Sequence, residues 1–361
     1  MVATRAVLSG QALTYAGCRG AYGVGWSGGR WAGKLIGFMA KAKVITIGNF
    51  DGVHIGHQQI LREARGYANR HSAAVVAVTF DPHPISVLRP EAAPQRLMRH
   101  EQKLERLHAR GVDEIVVLEP TEDLLAAQPQ QFIEQLAEKH RILAVFEGRG
   151  FRFGKDRCGD IESLSRLGEQ LGFKMIIVEP VRAALDDQLT AKVSSSLIRW
   201  LLSLGRVADA ARCLGQPYEL AATIVEGEKR GRTLGFPTAN LDPQPLVGRA
   251  IPVNGVYSGL VCLENQWVQP AAISIGVKPT FGVHQQVIEA HVLDFEGDLY
   301  GQTLTVQFLR WLRDQHRFPS RDALVSQLRR DVTTIRRQHA MGLLEVGVVQ
   351  GAAATPAEAA P

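Results

Sequence analysis

Two histidines, His54 and His57, stand three residues apart with Gly56 between them, directly after the turn-rich run Gly48-Asn49-Phe50-Asp51-Gly52. A second run, Gly148-Arg149-Gly150-Phe151-Arg152-Phe153-Gly154-Lys155, alternates aromatic and basic side chains between glycines. Paired imidazoles beside a glycine loop suit phosphoryl-type chemistry, and interleaved rings and cations suit a planar ring that carries phosphate. Each run also has a plainer use. A bare His-x-x-His is more often a solvated or capping pair, and a basic aromatic run is equally a surface turn.

The elements around the histidines add the specificity that the pair lacks. Val44 to Ile47 is apolar and mostly β-branched, as a strand would be, and from His57 the apolar residues recur with helical spacing. A strand, a glycine loop and a helix in that order aim backbone N–H groups and the positive end of the helix dipole at one point, where a phosphate can sit. The missing side chain of Gly56 lets a ligand approach the backbone there.

Beyond this motif the pattern predicts helices over 58–70, 101–110, from Pro129 and over 161–171. Strands are predicted at 73–80, 114–118, 142–146 and 174–178. Strands alternating with helices imply a Rossmann-like α/β domain, a parallel sheet covered on both faces, with ligands beyond the strands' carboxyl ends. Ser194, Ser195 and Ser196 then precede an apolar helical run containing Arg199, which makes them N-cap residues by default. Gly215-Gln216-Pro217-Tyr218 marks a boundary.

From Glu219 short apolar segments recur between Gly, Pro and Asn, the pattern of a small antiparallel β-barrel. Glu289 interrupts one apolar segment, where an unpaired carboxylate is costly, so a salt bridge with His291 on the same face is expected. Ser320 caps a last helix to about Gln338 that closes the barrel. The expected divisions are a leader or over-long start at 1–38, an α/β domain at 39–214, a barrel domain with a C-terminal helix at 215–346, and a disordered Ala/Pro-rich tail at 347–361.

With 41 basic and 36 acidic residues among 361, the net charge of +5 is spread along the chain. That suits anionic small substrates and not the concentrated charge of a nucleic-acid footprint. Cys18, Cys158, Cys213 and Cys262 stand far apart, so neither a disulfide framework nor a zinc site is indicated and a reducing cytoplasm is expected. No apolar run reaches the ~18 residues that span a membrane. Oligomeric state is left open.

The string from Gly48 to His57 resembles the nucleotidyltransferase signature, in the wording of the bacterial bifunctional riboflavin kinase/FMN adenylyltransferase (FAD synthetase) family. Phe151, Phe153, Gly154, Gly159 and Asp160 match a further family stretch, in which Gly150 replaces a frequent Asp. Ser194-Ser195-Ser196-Leu197-Ile198-Arg199 resembles the second signature, Ser196 keeping the hydroxyl of the usual Thr. Gly235-Phe236-Pro237-Thr238-Ala239-Asn240 is similar to the riboflavin kinase signature. The runs 255–257, 275–281, 289–295 and 298–301 follow the family too, with Ser274 and Glu226 replacing a frequent Asn and His. The resemblance spans roughly residues 43–340.

It implies that ATP and riboflavin give FMN in the barrel, and that ATP and FMN give FAD and pyrophosphate in the α/β domain. For adenylation it assigns His54, His57 and Arg199 to catalysis, and Gly48, Asn49, Phe50, Asp51, Gly56, Phe151, Phe153, Ser194, Ser195 and Ser196 to substrate and ATP. For the kinase it assigns Glu289 as general base, Gly227, Arg230, Gly231, Gly235 and Pro237 to substrate and ATP, and Thr238 and Asn240 to Mg²⁺. Few, hard oxygen ligands suit that ion, which keeps most of its waters. Two rivals stand beside this reading. One is a monofunctional kinase with a degenerate first domain, the possibility that Gly150 keeps alive; the other is a flavin-binding protein without turnover, against which the retained histidines, Arg199 and Glu289 count.

Overall fold

The computed structural model describes residues 41–228, 230–263, 268–280 and 283–343 and short strands at 21–24, 26–27 and 30–31; at those strands and at 230, 278–280 and 283–285 the backbone alone is described. The tail expected at 347–361, and the expected leader apart from those strands, lie outside the described residues. Contacts divide the chain into two compact units, 1–182 and 183–361.

The first unit holds β1 (Ala21–Val24), the hairpin β2 (Trp26–Ser27) and β3 (Arg30–Trp31), β4 (Lys43–Ile47), α1 (Ile55–Arg70), β5 (Ala74–Phe80), α2 (Pro84–Leu88) and α3 (His100–Ala109). It continues with β6 (Glu114–Leu118), α4 (Glu122–Ala126), α5 (Pro129–Lys139), β7 (Ile142–Gly148), α6 (Ile161–Leu171) and β8 (Lys174–Val178). The six-stranded sheet runs β1-β6-β5-β4-β7-β8, and its pairs are parallel. Alternate residues of its strands go to opposite cores. Val44, Val75 and Ala77 pack with Leu61, Ala64 and Ala68 of α1 on one face. Ile45, Val76 and Val78 pack with Phe132, Ile133 and Leu136 of α5 and Leu164 of α6 on the other. Both faces are therefore buried, which is why the strands read as continuous apolar runs.

The second unit opens with a small hairpin, β9 (Arg182–Ala184) against β10 (Thr190–Lys192), whose first residue is the last of the first unit, then α7 (Ser195–Ser203) and α8 (Val207–Leu214). The barrel follows: β11 (Tyr218–Val225), the short α9 (Arg230–Thr233), β12 (Ala239–Leu241), β13 (Gly255–Leu263), β14 (Val268–Thr280), β15 (Val283–Val292) and β16 (Thr303–Arg313). It closes antiparallel in the order β11-β12-β15-β14-β13-β16. The final helix, α10 (Arg321–Ala340), is capped by the Ser320 side chain, which accepts from the N–H of Ala323. Its Ile335 packs against Leu260 and Leu293, and its buried Asp331 holds Arg313 through bonds of 2.8 and 3.0 Å. Compactness thus groups α7 and α8 with the barrel, whereas the change in sequence style falls at 214–218.

Candidate active sites

In the first sheet the chain passes from β4 to β5 and β6 on one side, then returns to place β7 and β8 on the other. The crevice beyond the carboxyl ends of β4 and β7 is therefore the point where a doubly wound sheet receives its ligand. The glycine loop leaves β4 there. Phe50 at φ 49° and Val53 at φ 38° hold it in the left-handed region, costly for a β-branched residue and typical of loops shaped for a ligand.

The helix starts three residues earlier than the expected 58–70, so Gly56 lies in the first turn of α1. His54 is the N-cap: its Nδ1 accepts from the N–H of His57 at 3.3 Å, so in the neutral ring the proton sits on Nε2. The two imidazoles stack 3.7 Å apart, 13° from parallel, and Phe50 meets His57 edge-on at 5.2 Å. Burial, then the neighbouring His54, pushes the His57 pKa well below its ordinary value. The pair therefore enters the site as N–H donors, with less positive charge than two imidazoliums would bring.

Two polar atoms of this loop are left over. Nδ1 of His57 and Oδ1 of Asn49 are buried without a hydrogen-bond partner. The other end of the Asn49 amide lies 3.1 Å from Nε2 of His83, whose Nδ1 caps α2. The carboxylate of Asp51 accepts from the N–H of Leu97 at 3.0 and 3.1 Å, tying the loop to the segment before α3. Asn49, Asp51, His83, Arg96, His100 and Lys103 line a small cavity of about 40 Å³.

Of the paired rings in the aromatic loop, Phe153 is buried against Phe132, and Phe151 stacks on it at 5.4 Å with part of its surface free. Phe151 is the more exposed ring of the pair. Ser194 caps α7 by accepting from the N–H of Leu197 at 3.2 Å, and Ser195, Ser196 and Arg199 lie in that helix, in the second unit.

In the barrel, Asn240 and Glu289 are register partners on β12 and β15, and Thr238 stands just before β12. The Thr238 hydroxyl donates to Oε2 of Glu289 at 3.4 Å. His291, expected to pair with Glu289, instead sets Nδ1 2.8 Å from the carbonyl oxygen of Pro237. Gly227 and Gly231 are close approaches: a Cβ at 227 would stand 2.4 Å from the Asn240 side chain, and one at 231 would stand 2.3 Å from the Phe236 carbonyl oxygen. Gly235 takes φ 82°, a turn position that only glycine fills without strain.

Two cavities meet at Thr238. The larger, about 600 Å³, is walled by Leu234, Phe236, Val256, Leu328 and Val332 with Glu289 among its polar groups. The smaller, about 250 Å³, is bounded by Arg232, Pro237, Phe295, Asp298 and Tyr300.

Two family profiles match this chain. The FAD synthetase family profile matches residues 39–196 and the riboflavin kinase profile residues 214–339. The bifunctional riboflavin kinase/FMN adenylyltransferase of Escherichia coli (strain K12) is 35% identical over 81% of this chain and 91% of its own length. That of Pseudomonas fluorescens is 37% identical over 81% and 92%. The chain belongs to the bifunctional riboflavin kinase/FMN adenylyltransferase family. A solved structure titled a macrolide-efflux protein from Streptococcus pneumoniae also shares the fold, with a TM-score of 0.74 and 30% identity over 83% of this chain and 95% of that one. Among the described residues, no helix is long and apolar enough to cross a membrane.

Against that family frame, sequence reasoning missed several residues that line the sites. Lys103, buried on α3, sends Nζ to the Thr79 hydroxyl at 3.2 Å and the Phe80 carbonyl oxygen at 2.8 Å, at the end of β5. Burial lowers its pKa. Helical spacing had marked this position only as part of an ordinary helix. Arg232, Asp298 and Tyr300 line the smaller barrel cavity, although the last two stand in a run already singled out at 298–301.

Proposed function

We infer that this chain is a bifunctional enzyme of flavin-cofactor synthesis, phosphorylating riboflavin to FMN with ATP and adenylating FMN to FAD with release of pyrophosphate. The observation that carries the kinase half is Thr238, which lies on the wall common to both barrel cavities and within hydrogen-bonding reach of Glu289. The larger, apolar-walled cavity suits the planar flavin and the smaller one, with Arg232 and Asp298 on its wall, the nucleotide, so the 5′-hydroxyl and the γ-phosphate meet beside Glu289. Glu289 accepts the hydroxyl proton as the oxygen attacks phosphorus and ADP departs. The side-chain oxygens of Thr238 and Asn240 fit Mg²⁺, being few and hard and only two residues apart. That ion, when bound with ATP, supplies charge neutralisation.

In the first unit, the unpartnered polar atoms of Asn49 and His57 sit at the sheet's switch point, where a bound nucleotide would satisfy them. An FMN phosphate oxygen attacks the α-phosphorus of ATP in line, the bond to the β-phosphate oxygen breaks, and pyrophosphate leaves. No covalent intermediate is needed. His54 and His57 donate to the phosphate oxygens, and Phe151 meets the flavin. The dispersed free thiols suit a cytoplasmic setting.

Purified protein mixed with riboflavin, ATP and Mg²⁺, with flavins resolved by chromatography over time, tests the whole reading. FMN followed by FAD is expected. FMN alone would establish the degenerate-domain rival, and unchanged riboflavin the non-catalytic one.

A further inference from the structure

The carboxyl ends of β4 and β7 are splayed. Their mutual pairing stops at Ile45 and Val145, yet β4 stays paired with β5 as far as Ile47, and β7 with β8 as far as Gly148. Between the free inner edges sits the side chain of Glu147, 3% exposed. Its Oε1 accepts from the N–H of Ile47 at 2.5 Å and lies 3.3 Å from the hydroxyl of Thr46. A side chain thus replaces the backbone acceptor that β7 no longer offers. Ile47 is the last residue before the glycine loop, and Glu147 stands four residues before Phe151 of the aromatic loop.

We propose that Glu147 is a positioning residue for adenylyl transfer, a clamp across the mouth of the sheet that sets the spacing between the glycine loop and the aromatic loop. This rests on placing the adenylation site in the first unit. The clamp works as a neutral acid. Burial raises the Glu147 pKa well above the usual carboxylate range, outweighing the two hydrogen bonds that lower it, and no neighbouring charge is among the causes. A neutral carboxyl at the base of the crevice accepts the Ile47 N–H without repelling the phosphates of two anionic substrates, as a carboxylate there would. Separation of the two loops matters because a misplacement of about 1 Å between reacting groups costs on the order of 10²-fold in rate.

The test compares Glu147→Gln, which keeps shape and acceptor without charge, with Glu147→Ala, which removes the clamp, in the full-length enzyme. Riboflavin phosphorylation and the thermal melt serve as fold controls. For FAD formation from supplied FMN, kcat should fall by about 10²-fold in Glu147→Ala with KM for ATP changing much less, while Glu147→Gln stays within a few-fold of the parent. Parent-like kcat in Glu147→Ala would overturn the clamp, and an equal fall in both variants would show that the negative charge is what matters, overturning it as well. Should Glu147→Ala lower the fold controls too, Glu147→Gln decides alone: near-parent turnover upholds the neutral clamp and a large fall refutes it. His57→Ala run in parallel separates the two levels, since failure of that variant to slow FAD formation would remove the site itself, whatever Glu147 does.

Discussion

Glu289 sits on a strand whose neighbours Ile288 and Ala290 are buried, and its Oε2 accepts from the Thr238 hydroxyl at 3.4 Å, which points the carboxylate at the wall shared by both barrel cavities. Glu289→Gln, which keeps the shape, should lower riboflavin phosphorylation by about 10²- to 10⁴-fold and leave adenylation of supplied FMN unchanged; parent-like kinase turnover would reduce Glu289 to a structural acid. For His57, loss of a donor to charge developing on the pyrophosphate should cost adenylation about 10²- to 10³-fold, or roughly 2.7 to 4 kcal/mol, with kcat suffering more than KM. Its depressed pKa carries a second expectation. The unfolded chain takes a proton near pH 6.5 that the folded site refuses, so stability is intact above about 6.5 and erodes as pH falls through that value. Melting temperatures from pH 8 to pH 5 should show a shallower acid fall in His57→Gln, and an identical slope would mean that His57 contributes nothing to it.

At the level of elements, the loop from Gly227 to Asn240 works because two glycines let backbone and side chains interlock. Gly227→Ala would drive its Cβ into the Asn240 side chain, at a cost of about 1 to 3 kcal/mol for overpacking, and would displace a group assigned to the metal–nucleotide complex. Kinase KM for MgATP should rise while FAD formation from FMN is untouched, and unaltered kinase kinetics would show that Asn240 has slack. Five of the six sheet strands, α6 and the capped α10 were legible from sequence because burial, spacing and caps agree there, whereas β1 lies in the stretch expected to be a leader or over-long start. The start of α1 was not, because Ile55 and Gly56 are weak helix formers and the cap is a histidine in place of the usual Ser or Asp. The strand expected at 142–146 runs on to Gly148, past Glu147, whose buried carboxyl has a pKa raised well above the usual carboxylate range. The pairing of Glu289 with Thr238 and of His291 with the Pro237 carbonyl was illegible for another reason. Same-face spacing brings Glu289 and His291 together on one strand, whereas these partners come from the neighbouring chain segment.

For the whole molecule, α7 and α8 are compact with the barrel, although the resemblance assigns their Ser194 to Arg199 motif to adenylation. Within that unit the contacts are specific. α8 packs on β11 and β16, and the turn before it brings Gly205 so close to Trp311 of β16 that a Cβ at 205 would lie 2.5 Å from the ring. Gly255 meets the same six-membered ring of the indole, with a Cβ position 2.5 Å from Cη2, so Trp311 packs on both the helical turn and β13. α8 itself buries Val207, Ala210, Cys213 and Leu214, and its Asp209, 1% exposed, is held by Arg206 and Arg212. Cutting the chain at 215 would strip this cover and expose apolar surface worth about 1.5 to 3 kcal/mol for each large side chain uncovered. Fragments 183–346 and 215–346 should both convert riboflavin to FMN, because Gly227 to Asn240 and Glu289 lie in each, and neither should make FAD, because both lack the glycine loop and His57. The longer fragment should melt several degrees higher. Equal melting temperatures would mean that α7 and α8 merely rest on the barrel, and FAD made by either fragment would refute the assignment of adenylation to the glycine loop.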